Sequence, residues 1–252
     1  MPTEGVWIDP KGRKTFIPLE NNPEIFTSLA QDLGVSSDVG FYDVYSLDDP
    51  DLLSMVPRPV HALIFITPMP MYNKIRAAEG TPQVDEAGLT YDNAGDDEQV
   101  MWFRQTIGNA CGLIALLHCI ANGEAKNHIV KGSLMDELIN QAKPLKAQAR
   151  ADLLYNHEGL EKAHMKAAKT GDTAAPGAEE PDGYGFIAFT RGKDGHLWEM
   201  EGSSDGPLDL GELPDDADML NADALEKGIK RFFNHADGNL EFSIVALANK
   251  MD

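Results

Sequence analysis

Apolar and polar positions fall along this chain in blocks with two different spacings, and those blocks predict a mixed α/β fold. Phe16-Ile17-Pro18-Leu19 predicts a short early strand. Asn22-Pro23 opens a helix that runs to about Leu33 and stops at Gly34, with proline just inside the start and glycine just past the end. Phe41 to Tyr45 alternates as a strand does, Asp48 to Met55 reads as a short helix, and Pro57-Arg58-Pro59 ends it. Ala62-Leu63-Ile64-Phe65-Ile66 is apolar without interruption and bounded by prolines, the pattern of a central strand covered on both faces.

Residues 80–97 are rich in Gly, Asp and Pro without periodicity and predict a loop. Val100 to Phe103 leads into Gln105-Thr106-Ile107-Gly108-Asn109-Ala110-Cys111-Gly112, and Leu113 to Ile120 continues as an apolar helix that Asn109 is placed to cap. Ser133 to Ala142 and Pro144 to about Thr170 read as two helices. Gly171 to Gly185 is a long irregular connection, a length that inside a compact domain marks a functional or disordered segment. Strands follow at Tyr184–Thr190 and His196–Met200, joined by the hairpin turn Gly192-Lys193-Asp194-Gly195. Asn221 to Phe233 is helical with Leu225, Ile229, Phe232 and Phe233 on one face, and Leu240, Phe242 and Ile244 alternate with polar residues as a last strand. The expected architecture is α/β (α+β), a central antiparallel sheet flanked by helices, in one domain of 252 residues.

A formal charge of −20 argues against nucleic acid and anionic membrane surfaces; it suits a basic partner or simple solubility. No apolar run approaches a membrane span, and the first residues lack a signal-peptide layout, so a cytoplasmic or nuclear monomer is expected. The two cysteines, Cys111 and Cys119, lie on one predicted helix about 12 Å apart along its axis, too far for a disulfide. There is no CxxC pattern, and neither metal nor cofactor is expected. Cys119 reads as a small buried hydrophobe.

Cys111 reads differently because of its neighbours. A thiol at the start of an apolar helix gains a positive helix end that favours thiolate. An amide side chain six residues upstream, Gln105, is a donor for the oxyanion that forms in acyl transfer.

Several segments together resemble the ubiquitin C-terminal hydrolase family of cysteine peptidases: Ile17 to Glu24, Phe41 to Tyr45, Leu53 to Val60, Gln105 to Gly112, and Asp194 to Glu199. They cover nearly the whole chain in family order, and the lysine- and alanine-rich helix with Gly206-Pro207-Leu208 resembles fungal members. The resemblance implies a papain-like core, a threaded backbone, a crossover over the active site at about His157 to Asp182, and hydrolysis after the C-terminal glycine of ubiquitin. It assigns Cys111 as nucleophile and Gln105 as oxyanion donor. It also places the catalytic histidine just ahead of Phe186-Ile187-Ala188-Phe189, where this chain has Gly185, and the orienting aspartate where it has Glu201.

Glu can hold an imidazole as Asp does, but the loss of the imidazole has no such substitute. A catalytic base contributes on the order of 10²–10⁴-fold, about 3–5 kcal/mol. A helix end contributes about 0.3–1 kcal/mol, up to roughly 2 when partly buried. His196 sits at a hairpin turn, and His118 is about 10 Å along the helix from Cys111 by its rise. His61 heads the central strand as a packed neighbour, leaving His157 and His164 as the remaining candidates to reach the cleft. Two readings follow: an impaired deubiquitinating thiol peptidase, or a catalytically inactive relative that binds ubiquitin or a ubiquitin-like protein. On either, Gly185→His is expected to raise ubiquitin C-terminal hydrolysis at least a hundredfold, and Cys111→Ala to leave affinity within severalfold.

Overall fold

The structure is a computed structural model that describes residues 3–81, 88–172, 177–179, 183–235 and 241–251. Its centre is a six-stranded sheet in the order β3-β8-β4-β5-β6-β7. These strands are β3 (Val39–Asp43), β4 (Val60–Pro68), β5 (Tyr184–Arg191), β6 (His196–Met200), β7 (Leu208–Glu212) and β8 (Ser243–Asn249), and every pair is antiparallel. The uninterrupted apolar run around Ile64 is β4, in the interior of the sheet between β8 and β5.

The early strand expected at Phe16 to Leu19 is instead preceded by a hairpin of two-residue strands, β1 (Trp7–Ile8) and β2 (Lys14–Thr15). Asp9 closes its turn by accepting from the amides of Lys11 and Arg13, both at 2.8 Å. Pro18 has no amide to donate to a ladder, and Phe16 and Leu19 are buried in the core without strand pairing. Helix α1 (Pro23–Leu33) forms as its local signals dictate. Asn22 accepts from Glu24 N, Gly34 ends the helix at φ 102, and Ile25, Phe26, Leu29, Ala30 and Leu33 form its buried stripe.

Helices cover both faces of the sheet. α2 (Pro50–Leu53) is a single turn in the connection from β3 to β4. α3 (Met69–Ala78) follows β4 directly; prolines at 68 and 70 obscure it in the sequence, yet both are tolerated at a helix start. On the opposite face lies α4 (Cys111–Ala121), whose eleven residues are all buried. α5 (Leu134–Ala142), α6 (Ala147–Tyr155) and α7 (Glu158–Ala167) pack on that side with α1.

The single helix expected from Pro144 to Thr170 is broken at Asn156, and His157 caps the second half by accepting from Leu160 N at 3.1 Å. The helix expected over Asn221 to Phe233 is likewise two, α8 (Ala222–Lys227) and α9 (Lys230–Phe233), parted by Gly228. β7 was not anticipated. The last strand starts at Ser243 rather than Leu240, a residue outside those described, and continues to Asn249.

Candidate functional site

Cys111 is the first residue of α4, 9% exposed, with its sulfur 4.0 Å from the carbonyl oxygen of Tyr184 at the start of β5. Ala110, not Asn109, is the N-cap, and no side chain caps the helix there. Asn109 takes the left-handed conformation (φ 54) and reaches away, donating through Nδ2 to Ala178 O at 3.3 Å. Sparsely populated backbone of this kind persists only where surrounding contacts determine it. Through that bond the described part of the 171–185 connection is tied to the residues beside the thiol. Of the segment 157–182 expected as a crossover, residues 158–167 are α7, and residues 173–176 and 180–182 lie outside those described.

The segment from Glu98 to Gln105 belongs to no strand, so its backbone groups need other partners. Tyr91 Oη donates to Val100 O at 2.7 Å, and Asn122 accepts from Met101 N at 2.7 Å and donates to Met101 O at 3.0 Å. Arg150 donates to Trp102 O at 2.9 Å while holding the Glu98 carboxylate through both Nη atoms at 2.8 and 2.9 Å. His118 Nε2 accepts from Phe103 N at 2.9 Å. Gln105 N donates to Gly202 O at 2.7 Å. Helix α4 thus begins at Cys111, while His118 near its other end and Asn122, its C-cap, hold the segment leading to Gln105.

His118 and Asn122 were not singled out as positioning residues. The available signal was a polar side chain on a helix apolar all round, which needs a partner once buried.

Gln105 is half-buried; its Oε1 is buried without a hydrogen-bond partner, and among the described residues no group accepts from its Nε2. Glu201 follows β6 immediately, beside the glycine that holds Gln105. It is 3% exposed, and burial raises its pKa. Its carboxylate accepts from Ser203 N at 3.0 Å and Ser203 Oγ at 2.8 Å. Gly185 is the second residue of β5, paired with Thr67 of β4. Cys111, Gln105, Gly185 and Glu201 therefore converge where the N-terminus of α4 meets one end of the β5–β6 pair.

All seven histidines lie among the described residues, and none hydrogen-bonds the Cys111 sulfur. His118 is fully buried, and that burial pushes its pKa down to about 3. His164, also fully buried, bonds Ile17 O at 2.8 Å and stacks near Phe16, its pKa pushed down to about 4. His157 is the helix cap, so neither of the two crossover candidates reaches the thiol. His61 bonds Asn249 at 2.7 Å with its ring 5.1 Å from that of His128, and His235 bonds Arg231 O. His196 pairs with Asp209 at 2.8 Å, which raises its pKa, and Asp194 stands nearby.

A sequence model of "Ubiquitin carboxyl-terminal hydrolase, family 1" matches residues 16–234. The ubiquitin carboxyl-terminal hydrolase 3 of Arabidopsis thaliana is 33% identical over 238 residues, 94% of this chain and 95% of that protein. Ubiquitin carboxyl-terminal hydrolase YUH1 of Saccharomyces cerevisiae is 28% identical, over 93% of this chain and 96% of that protein. In structure the chain is similar to the Trichinella spiralis UCH37 catalytic domain, solved bound to ubiquitin vinyl methyl ester. The TM-score is 0.67 at 20% identity, over 93% of this chain and 95% of that one, and it carries the fold alone.

Proposed function

This chain belongs to ubiquitin carboxyl-terminal hydrolase family 1, and from that membership we propose that it is a ubiquitin-recognising thiol peptidase of impaired turnover. Cys111 is the nucleophile position, Gln105 the oxyanion donor, and Gly185 stands where the general base is needed. The observation that carries this reading is the absence of any imidazole hydrogen-bonded to a sulfur that otherwise has its surroundings in place. The helix N-terminus favours thiolate, and Gln105 keeps a side-chain donor that no described group occupies. The imidazole is the group that takes the thiol proton and returns it to the leaving amine, and no histidine is bonded to Cys111 to do so. Glu201, which would orient that imidazole, turns instead onto Ser203.

Binding is independent of the base. The net charge of −20 complements the basic C-terminal tail of ubiquitin and acts mainly on association rate and specificity. The inactive ubiquitin-binding relative is the limiting case of the same reading, favoured by the same missing imidazole. The whole chain serves as one catalytic-type domain, monomeric and cytoplasmic or nuclear, with no metal or cofactor required.

The test compares ubiquitin affinity with turnover of a ubiquitin C-terminal amide reporter. Ubiquitin should bind with Cys111→Ala within severalfold of the parent, while parental kcat/KM falls at least a hundredfold below the roughly 10⁴–10⁸ M⁻¹s⁻¹ range of working enzymes. Turnover inside that range that Cys111→Ala abolishes would reject the impairment, and absence of ubiquitin binding would reject the partner.

A further inference from the structure

We propose that Met69 is a blocking residue, its thioether filling the space that any side chain at position 185 must enter, so that the position read as that of the general base is closed by a second residue. The proposal rests on the reading of Gly185 given above. Gly185 lies within β5 and is not among the residues with positive φ, so the backbone there accepts any amino acid. Glycine inside a strand lowers its stability, and its usual reason is the close approach of another group. Here that group is Met69. A Cβ on Gly185 would fall inside the van der Waals shell of Met69 Sδ, with Met69 Cγ at 3.4 Å and Ile187 Cδ1 at 3.6 Å.

The backbone holds Met69 in this place. The β4–β5 ladder ends with Pro68 opposite Tyr184, and the next amide, that of Met69, donates to Gly183 O at 3.0 Å. Pro68 and Pro70 fix φ on either side. Only the side chain is left to move, and an unbranched thioether is the side chain suited to filling an irregular gap. Met69 packs against the cluster that contains Ile187, on the face of β5 toward which position 185 points. An imidazole placed at 185 by substitution therefore meets the sulfur first, and the gain expected from Gly185→His alone passes to a pair of substitutions.

Two measurements separate the contact from its catalytic consequence. In a stability cycle, Gly185→Ala should lower the melting midpoint, and adding Met69→Ala should recover part of that loss. Additive effects would overturn the proposal. In the activity arm, Gly185→His alone should raise reporter kcat/KM less than tenfold over the parent. Gly185→His with Met69→Ala, or with Met69→Val should the first pair fold poorly, should raise it at least a hundredfold. The rate of the pair should follow an ionisation near pH 6.5, that of an imidazole. A hundredfold gain from Gly185→His alone would overturn the block while sustaining the missing base. Coupling in the stability cycle with no gain in either histidine pair, ubiquitin affinity being intact, would instead overturn the reading of Gly185 as the base position and the catalytic part of the proposal with it.

Discussion

Gly202 shows how little room surrounds the candidate oxyanion donor. A Cβ there would lie 2.6 Å from Ile114 Cγ2, 3.0 Å from Gln105 Cβ and 3.2 Å from Phe103 O. Overpacking of this kind costs about 1–3 kcal/mol, so Gly202→Ala should lower the unfolding free energy measured in urea by that amount and slow labelling of Cys111 by a thiol-reactive ubiquitin probe. An unchanged free energy with unchanged labelling would show that Ile114 and Gln105 yield freely. At this scale the sequence was informative about Cys111 and Gln105, because a helix mouth and an amide six residues away are local features. It was silent on His118 and Asn122. Their task is to hold Phe103 and Met101, fifteen and twenty-one residues distant.

The decisive element is the segment from Glu98 to Gln105, which belongs to no strand and is held largely by side chains. Its anchor is the buried Arg150–Glu98 pair, 1% and 3% exposed. Removing one partner of such a pair leaves a charge in the interior and costs about 3–5 kcal/mol. Arg150→Met should therefore destabilise by that order in chemical denaturation, and Glu98→Leu added to it should restore much of the loss. A loss below 1 kcal/mol from Arg150→Met would mean that the segment is held elsewhere. Elements whose ends are marked locally were legible, as Asn22, Pro23 and Gly34 mark α1. The breaks at Asn156 and Gly228 were not. The residues around them keep helical spacing, and both halves of each pair bury apolar residues in one cluster, so the hydrophobic pattern runs through the break unmarked.

Over the whole molecule, two fully buried imidazoles tie stability to pH. His118 and His164 keep pKa values of about 3 and about 4 because burial opposes their charged form, against about 6.5 in the unfolded chain. As pH falls below about 6.5 the unfolded chain takes protons that the folded one refuses, so each group removes about 1.4 kcal/mol per pH unit down to its folded value. Glu201, raised by burial, acts oppositely, because the folded state takes its proton first. The urea midpoint should fall from pH 7 to pH 5, and His164→Gln should flatten the slope; a level profile would place these rings in contact with water. The order of apolar and polar blocks was enough for the fold class, the central strand and the cysteine at a helix mouth, because burial periodicity and cap residues act within a few positions. The convergence of Gly185 and Glu201 on that cysteine, the separate engagement of every histidine and the seating of Met69 on Gly185 came only with the folded chain. The relations of Gly185 and Glu201 to the cysteine and of Met69 to Gly185 join residues seventy to more than one hundred positions apart, and sheet register and close packing, not local pattern, set such distances.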